Sequence, residues 1–542
     1  MHVLPHGKRA GTCQCPAKPY LSLAPDESVA PGAITDVQPG GNSPIRAFDG
    51  ERVRSCLPQV GQGRVSMDCH GWFPALRLLA AMLVTAGTSG PALAAATGAK
   101  PNILFIMIDT LRPDHVGCYG YQRQTTPNLD RLAAGGVRFD QMIAASSWTT
   151  PSVMSMFTSL PPSLHGVTGP DKTLVGDATT LAAELKRAGY QTVGFTSNPC
   201  THSKLGYARG FDLYDDFTVM LSSDLNLFED FDQEKGILST VTSPTINRLA
   251  LSWLEQKRDS GRPFFLYLLY FDPHADYVPP SPYNRLFDPE YDGPENGRNL
   301  PDRAESGSAV FTERDRAHIR ALYDGDIRFT DEHVGALLKK MEQLKLLENT
   351  LTVVVSDHGE EFWEHGGMLH GHTLYEELIH VVCILHWPGK IGPGTVFPQQ
   401  VSHVDIMPSL LDAMGLPIPR QCRGESFMPC LASPDKPFPR KECFLETEIR
   451  NVQLKAIRSA GGKIGWDLKT GQKRGFNLRE DPAEIAGVDC AATAWCQDPA
   501  TRLDAWWQAT LREVATRPEP QTITSEIDPR LKKQLKALGY LH

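Results

Sequence analysis

Asp109, Asp272-Pro273-His274 and Asp357-His358 each stand directly after an apolar run. Carboxylates and imidazoles so placed can ligate a divalent cation or move a proton. Asp109, Asp357 and His358 offer two oxygens and a nitrogen, and one hydroxyl would complete a four-ligand site. A His ligand favours zinc or manganese over calcium, so one or two divalent ions of that kind are expected. A candidate hydroxyl lies in Ser146-Ser147-Trp148-Thr149-Thr150-Pro151-Ser152, just before the helical-looking stretch Ser152–Ser159. Thr149 falls at or just ahead of that helix's N-terminus, where backbone N–H groups and the dipole favour an anion. A hydroxyl bound to a metal loses its proton readily and becomes a nucleophile. Taken singly, a Thr at a helix start is usually a cap and an Asp after a strand a turn residue. Their occurrence in this order is what points to a site.

A second, histidine-rich cluster runs from Glu361 to His372 and contains His365, His370 and His372. It follows Asp357-His358, so its histidines can reach the same cleft. His274 comes from another strand end. His274 and His370 are expected to hold a second metal or to bind an oxyanion directly. His372 and Asp272 are further candidates for that second place. For these two, and for His365 and Asp276, an ordinary surface-loop role is an equal reading.

The elements that would position these residues alternate. Asn102–Ile108, Gln191–Phe195, Pro263–Phe271, Thr350–Val355 and Val381–His386 read as strands buried on both faces. Thr180–Ala188 reads as a helix, and Arg314–Leu347 has long helical periodicity, with Asp331-Glu332 opening a new turn. Strands alternating with helices imply an α/β fold with a largely parallel sheet covered on both sides. Active sites of such sheets gather at the carboxyl ends of the strands. A second region begins near Pro417–Gly424. Residues 420–500 are richer in Cys, Gly and charge, and Glu442–Glu446 and Leu454–Arg458 suggest a small antiparallel sheet. Residues 501–517 and Pro529–Leu541 look helical. The expected division is a catalytic domain over 98–416 and a C-terminal subdomain over 417–542. Phe211 to Pro301, with the acidic run Asp224–Asp232, reads as a pocket-forming insertion.

The chain has 542 residues, a net charge of −9, 41% hydrophobic residues and 22% charged residues. That excludes wholesale disorder, a coiled coil and a small disulfide scaffold. The mild acidity argues against a nucleic-acid partner held by charge alone. Residues 1–66 are rich in Gly and Pro and lack apolar periodicity. From Met67 the chain carries Arg77, an apolar stretch Leu78–Ala86 and the small-residue site Ala92-Leu93-Ala94. That is the layout of a secretory signal peptide over 67–94, and its apolar run is too short to span a membrane. Translation is therefore expected to start near Met67. The product is expected to be exported, periplasmic or secreted, with no transmembrane span. Eight of the 12 Cys follow Ala94, and Cys422/Cys430 and Cys490/Cys496 are spaced for local disulfide loops.

The motifs also resemble the sulfatase-like branch of the alkaline phosphatase superfamily. The resemblance runs from Pro101 to Asp114, Gly117 to Gly120 and Thr126 to Leu129. It continues through Ser356 to Glu360, Leu374 to Glu377, His403 to Asp412 and Phe476 to Glu484. It implies a large mixed, mostly parallel sheet between helices and a smaller C-terminal α+β subdomain. The departures are informative. Formylglycine sulfatases carry a Cys or Ser followed by x-Pro-x-Arg; here those positions are Thr149 and Val153. The second of two successive aspartates is Thr110, and the Lys expected before Tyr375 is replaced by the neighbourhood of His370. The sequence is thus similar to the threonine-nucleophile members, in which an acidic residue, a Thr, an Asp and a His bind the first metal. That set is Asp109, Thr149, Asp357 and His358, with His274 and His370 matching the second site.

The expected activity is hydrolysis of a phosphate or phosphonate ester of a small molecule, lipid or glycan. Alternatives are a sulfuric ester hydrolase without formylglycine, a phosphoethanolamine-type transferase, and a non-catalytic binding protein on the same fold.

Overall fold

The computed structural model describes residues 100–216, 241–305, 310–433, 436–523 and 528–540. The N-terminal extension, the signal-like segment and the acidic run Asp224–Asp232 lie outside the described residues.

An eight-stranded sheet carries the fold. Its strands are β1 (Asn102–Ile108), β2 (Val137–Phe139), β3 (Gln191–Thr196), β4 (Leu213–Asp215), β5 (Phe264–Tyr270), β6 (Thr350–Ser356), β7 (Cys383–His386) and β8 (Thr395–Phe397). Their spatial order is β8-β2-β7-β6-β1-β5-β3-β4. β1 lies in the middle, parallel to β5 on one side and β6 on the other. Among these eight strands only β7 runs against its neighbours, β6 and β2. The sheet is therefore mixed and mostly parallel, as the alternation of elements and the resemblance both imply.

The apolar runs are continuous because both faces of the sheet are covered. Successive side chains point to opposite faces. Ile103, Phe105 and Met107 of β1 enter one core cluster, and Leu104, Ile106 and Ile108 enter the other. β5 divides the same way, with Phe265, Tyr267 and Leu269 on one side and Phe264, Leu266, Leu268 and Tyr270 on the other.

Six helices matter for the site. They are α1 (Thr149–Thr158), α2 (Leu181–Arg187), α3 (Ser243–Gln256), α4 (Glu313–Gln343), α5 (Ala494–Val514) and α6 (Pro529–Ala537). α4 opens with a reciprocal capping box between Thr312 and Asp315. It then runs unbroken for 31 residues, so the expected new turn at Asp331-Glu332 does not form. Asp331 instead turns its carboxylate to the backbone N–H groups of Asn128 and Leu129, at 3.2 and 2.8 Å for the same oxygen. It caps a neighbouring helix from the side.

The C-terminal part holds an antiparallel sheet built from β9 (Glu442–Ile449), β10 (Val452–Ser459), β11 (Gly462–Asp467), β12 (Lys473–Phe476) and β13 (Val488–Asp489). The two strands expected here are present and longer than their apolar cores suggested. Both expected terminal helices are present with shifted ends. The Cys pairs spaced for local loops are not bonded: Cys422, Cys430, Cys490 and Cys496 are all free.

Candidate active site

Four chain segments converge just past the carboxyl ends of β1, β3, β5 and β6. Asp109 follows β1, Asn198 follows β3 by two residues, Asp272 to His274 follow β5, and Asp357 and His358 follow β6. α1 points its N-terminus at the same place, with Thr149 as its first residue. Trp148 precedes it without a side-chain cap, so the first-turn N–H groups take no acceptor from the N-cap side chain.

Asp109, Thr149, Asp357 and His358 are wholly buried. Thr149 Oγ1 lies 3.2 Å from His358 Nε2. His358 Nε2 is 3.6 Å from Asp109 Oδ1 and 3.5 Å from Asp357 Oδ2. Its Nδ1 donates to the Gly359 carbonyl at 2.8 Å, which leaves an Nε2 lone pair facing the carboxylates in the neutral ring. Asp109 Oδ1 and Asp357 Oδ2 have no hydrogen-bond partner. Two orphaned carboxylate oxygens and an imidazole lone pair at one buried point are costly without a cation between them. The donor set of Asp, Asp, His and a Thr hydroxyl fits a divalent metal, and these three acidic and imidazole ligands lie within 4.8 Å of one another. Without such an ion, burial and the Asp357 charge push the Asp109 carboxyl well above the usual range, against the bond from Asn198. Burial likewise raises Asp357, against His358 and its hydrogen bonds.

Asn198 is a residue the sequence reading missed. Its Oδ1 accepts from the Cys200 N–H at 2.7 Å, which fixes the amide. Its Nδ2 then donates to Asp109 Oδ2 at 2.5 Å and to Thr149 Oγ1 at 3.2 Å. The rule that found the other residues also finds this one, since it sits at a strand's carboxyl end. Thr110, where the resemblance leads one to expect a second aspartate, is used differently. Its hydroxyl donates to the Pro273 carbonyl at 3.0 Å and its N–H to Asp357 Oδ1 at 3.2 Å. It ties the His274 loop to the ligand loop.

His274 and His370 are brought together, with ring centroids 4.9 Å apart, and His370 stacks obliquely 4.4 Å from His358. His370 Nδ1 is held by Glu360 Oε1 at 2.8 Å and His274 Nδ1 by the Ala275 carbonyl at 2.6 Å. Burial pulls His274 down to about 3 and His370 well below the ordinary imidazole range.

Asp272 and His372 do not join them. Asp272 caps α3, accepting from the N–H of Ser243 at 2.7 Å and also from the N–H of Thr242 and the Ser243 hydroxyl. A buried carboxylate with three donors is a helix cap, not an open ligand. His372 Nε2 is engaged by Glu361 at 2.7 Å. His365 lies between Glu377 and the Ala483 carbonyl, and Asp276 accepts from the N–H groups of Asn299 and Leu300. The expected second metal place therefore has two imidazoles and no carboxylate from the expected set.

The sheet carries a candidate cation-binding cluster at its strand ends, and its family and relatives make the chain a hydrolase acting on ester bonds. The chain belongs to the sulfatase family: the family's sequence pattern matches residues 101–416. The pattern of the N-sulphoglucosamine sulphohydrolase C-terminal region matches residues 364–488. An arylsulfatase of Clostridium perfringens is 26% identical over 442 residues, covering 72% of this chain and 90% of that protein. A phosphonate monoester hydrolase from Silicibacter pomeroyi shares the fold with a TM-score of 0.63 and 22% identity, over 76% of this chain and 96% of the other. So does a protein solved with its substrate D-glucosamine-2-N,6-O-disulfate, with a TM-score of 0.60 and 20% identity, over 80% and 99% of the two chains.

Proposed function

We propose that this sulfatase-family hydrolase cleaves a phosphate or phosphonate ester with Thr149 as nucleophile. The observation that carries the reading is the Thr149 hydroxyl set among two orphaned carboxylate oxygens and the His358 lone pair. A threonine cannot supply the formylglycine aldehyde that the Cys/Ser position gives other members. Asp109, Thr149, Asp357 and His358 would hold a zinc or manganese ion. That ion, when bound, lowers the hydroxyl's pKa and screens the charge of the ester.

Asn198 Nδ2 directs its N–H at Thr149 Oγ1 and stabilises the oxygen as it loses its proton. Thr149 Oγ1 gives its proton to solvent and attacks phosphorus, the P–O bond to the organic group breaks, and the departing alkoxide takes a proton from solvent. Water then attacks the same phosphorus, its hydroxyl staying on phosphorus as the bond to Thr149 breaks and its other hydrogen balancing the proton that restores the Thr149 hydroxyl. His274 and His370 stand beside His358 with Nδ1 held by the Ala275 carbonyl and Glu360, so each neutral ring offers an Nε2 lone pair that can take a proton from the attacking water. The folded relatives include a phosphonate monoester hydrolase, so this architecture accommodates phosphorus esters. Direct attack of Thr149 on a sulfuric ester is the second reading, favoured by the arylsulfatase relative.

Matched aryl phosphodiester, phosphonate monoester and sulfate ester substrates separate the two, with Zn²⁺ or Mn²⁺ supplied. The phosphorus esters are expected to turn over fastest; an aryl sulfate turned over tenfold faster than either would overturn the proposal. Among the described residues no helix is long and apolar enough to cross a membrane. We also propose export after cleavage at Ala94, with 98–416 as the catalytic domain. N-terminal sequencing of the exported chain tests the cleavage site.

A further inference from the structure

The C-terminal segment reaches into the active site. α6 buries Leu531 and Leu535 in the main core, and Leu538 and Tyr540 follow them there. Arg450 fastens the segment's end, donating to the Gly539 carbonyl at 3.1 Å and the Leu538 carbonyl at 3.2 Å. The Tyr540 ring stacks on Trp148, the residue before Thr149, with centroids 5.8 Å apart and planes 25° apart. Its hydroxyl lies 2.7 Å from His370 Nε2 and 3.2 Å from His274 Nε2.

A proton count shows what that hydroxyl is for. The Nδ1 atoms of both histidines face acceptors, a carboxylate and a carbonyl, so each Nδ1 carries the proton. Each neutral ring then presents a lone pair at Nε2. Two lone pairs meet one hydroxyl, which has one proton. Tyr540 is the sole donor of the three. Of these three groups only Tyr540 would attract an anionic oxygen entering between the rings, since both imidazole lone pairs would repel it. Withdrawal of the segment would expose four buried apolar side chains, so Tyr540 is a resident wall of the site rather than a plug that leaves.

We propose that Tyr540 is a substrate-contacting residue, whose hydroxyl turns from His370 to donate a hydrogen bond to an anionic oxygen of the bound ester. This rests on reading the cleft as an ester-hydrolase site. The test uses the metal-loaded full chain, with orthovanadate as an equilibrium-binding probe and an aryl phosphodiester as substrate. Tyr540→Phe keeps the ring and its stack on Trp148 and removes only the hydroxyl. It is expected to keep wild-type metal content and melting temperature, to bind vanadate about tenfold more weakly, and to lose about tenfold in kcat/KM. Should the Phe chain melt lower, vanadate affinity measured well below that melting point still reads the hydroxyl alone. Wild-type vanadate affinity in Tyr540→Phe would overturn the proposal, and so would tighter binding with faster turnover, the mark of a plug. Absence of vanadate binding to the wild-type chain would overturn the ester-site reading, and the role of Tyr540 with it.

Discussion

Thr149 Oγ1 and His358 Nε2 stand 3.2 Å apart although 209 residues separate them in the chain. α1 brings the hydroxyl from one side of the sheet, and the end of β6 brings the imidazole from its centre. In the proposed mechanism, removing the hydroxyl leaves Asp109, Asp357 and His358 to hold the cation but no nucleophile. Thr149→Ala is therefore expected to lose all measurable turnover of an aryl phosphodiester with Mn²⁺ supplied, whereas Thr149→Ser keeps part of it. Wild-type rates in the Ala variant would remove Thr149 from the mechanism.

One oxygen of the Asp357 carboxylate has no hydrogen-bond partner and is the atom proposed to ligate the cation. Asp357→Asn cancels one of the two charges that call for a cation. Metal bound per chain, measured by elemental analysis after dialysis, is expected to fall by at least tenfold. Full retention of metal would place the ion elsewhere.

Asn198 touches both the proposed ligand Asp109 and the proposed nucleophile Thr149. Asn198→Ala removes the donor aimed at the reacting oxygen, and kcat is expected to drop about 10- to 100-fold with little change in KM. Asn198→Asp should fall further, because it sets a third carboxylate beside Asp109 and Asp357. Steady-state kinetics on one aryl ester decides this; an unchanged kcat in the Ala variant would make Asn198 a purely structural residue.

Asp272 is a cap and not a ligand, and the two roles predict different losses. Asp272→Ala leaves the buried N–H groups of Thr242 and Ser243 at the start of α3 without their acceptor. It is expected to lower unfolding free energy by about 1–3 kcal/mol while metal content stays at the wild-type value. Denaturant titration and metal analysis of the same sample give both numbers.

His165 ties stability to pH. Its Nδ1 accepts from the Val167 N–H at 3.0 Å, its Nε2 faces the Pro151 carbonyl at 3.2 Å, and burial holds its pKa down to about 3. The unfolded chain protonates it near pH 6.5, so its stabilising contribution is present above 6.5 and is lost as pH falls from there towards 3. His165→Gln retains a donor to Pro151 but does not titrate. Between pH 7 and pH 5 it should lose about 2 kcal/mol less stability than the wild-type chain. Parallel pH slopes for the two chains would show that His165 is not held neutral.

Much of the site could be read before the fold was known, because strand ends announce themselves. A continuous apolar run that stops at an Asp marks both a doubly covered strand and the edge where side chains reach the cleft. Asp109, Asp357 and His358 were legible in this way, and Thr149 was legible as the start of a helix. Asn198 follows the same rule but lacks a charge, so nothing in its residue type singled it out. Asp272 carries the charge and the position, yet it is consumed by a helix start 29 residues earlier in the chain, which no local pattern reveals.

The sequence by itself determined the alternation of buried strands and helices, the sheet they imply, and the four candidate site residues at its edge. Each of those depends on residue type and short-range spacing. The tertiary structure alone decided which polar side chains share one buried point. It gathered His274 and His370, turned His372 and Asp272 to other partners, and delivered Tyr540 from the last turn of the chain. The Tyr540 contacts span 170 and 266 residues, and even the Asp272 cap spans 29. Side-chain direction at that range is set by packing and by which donors have already been taken, not by the pattern of neighbouring residues.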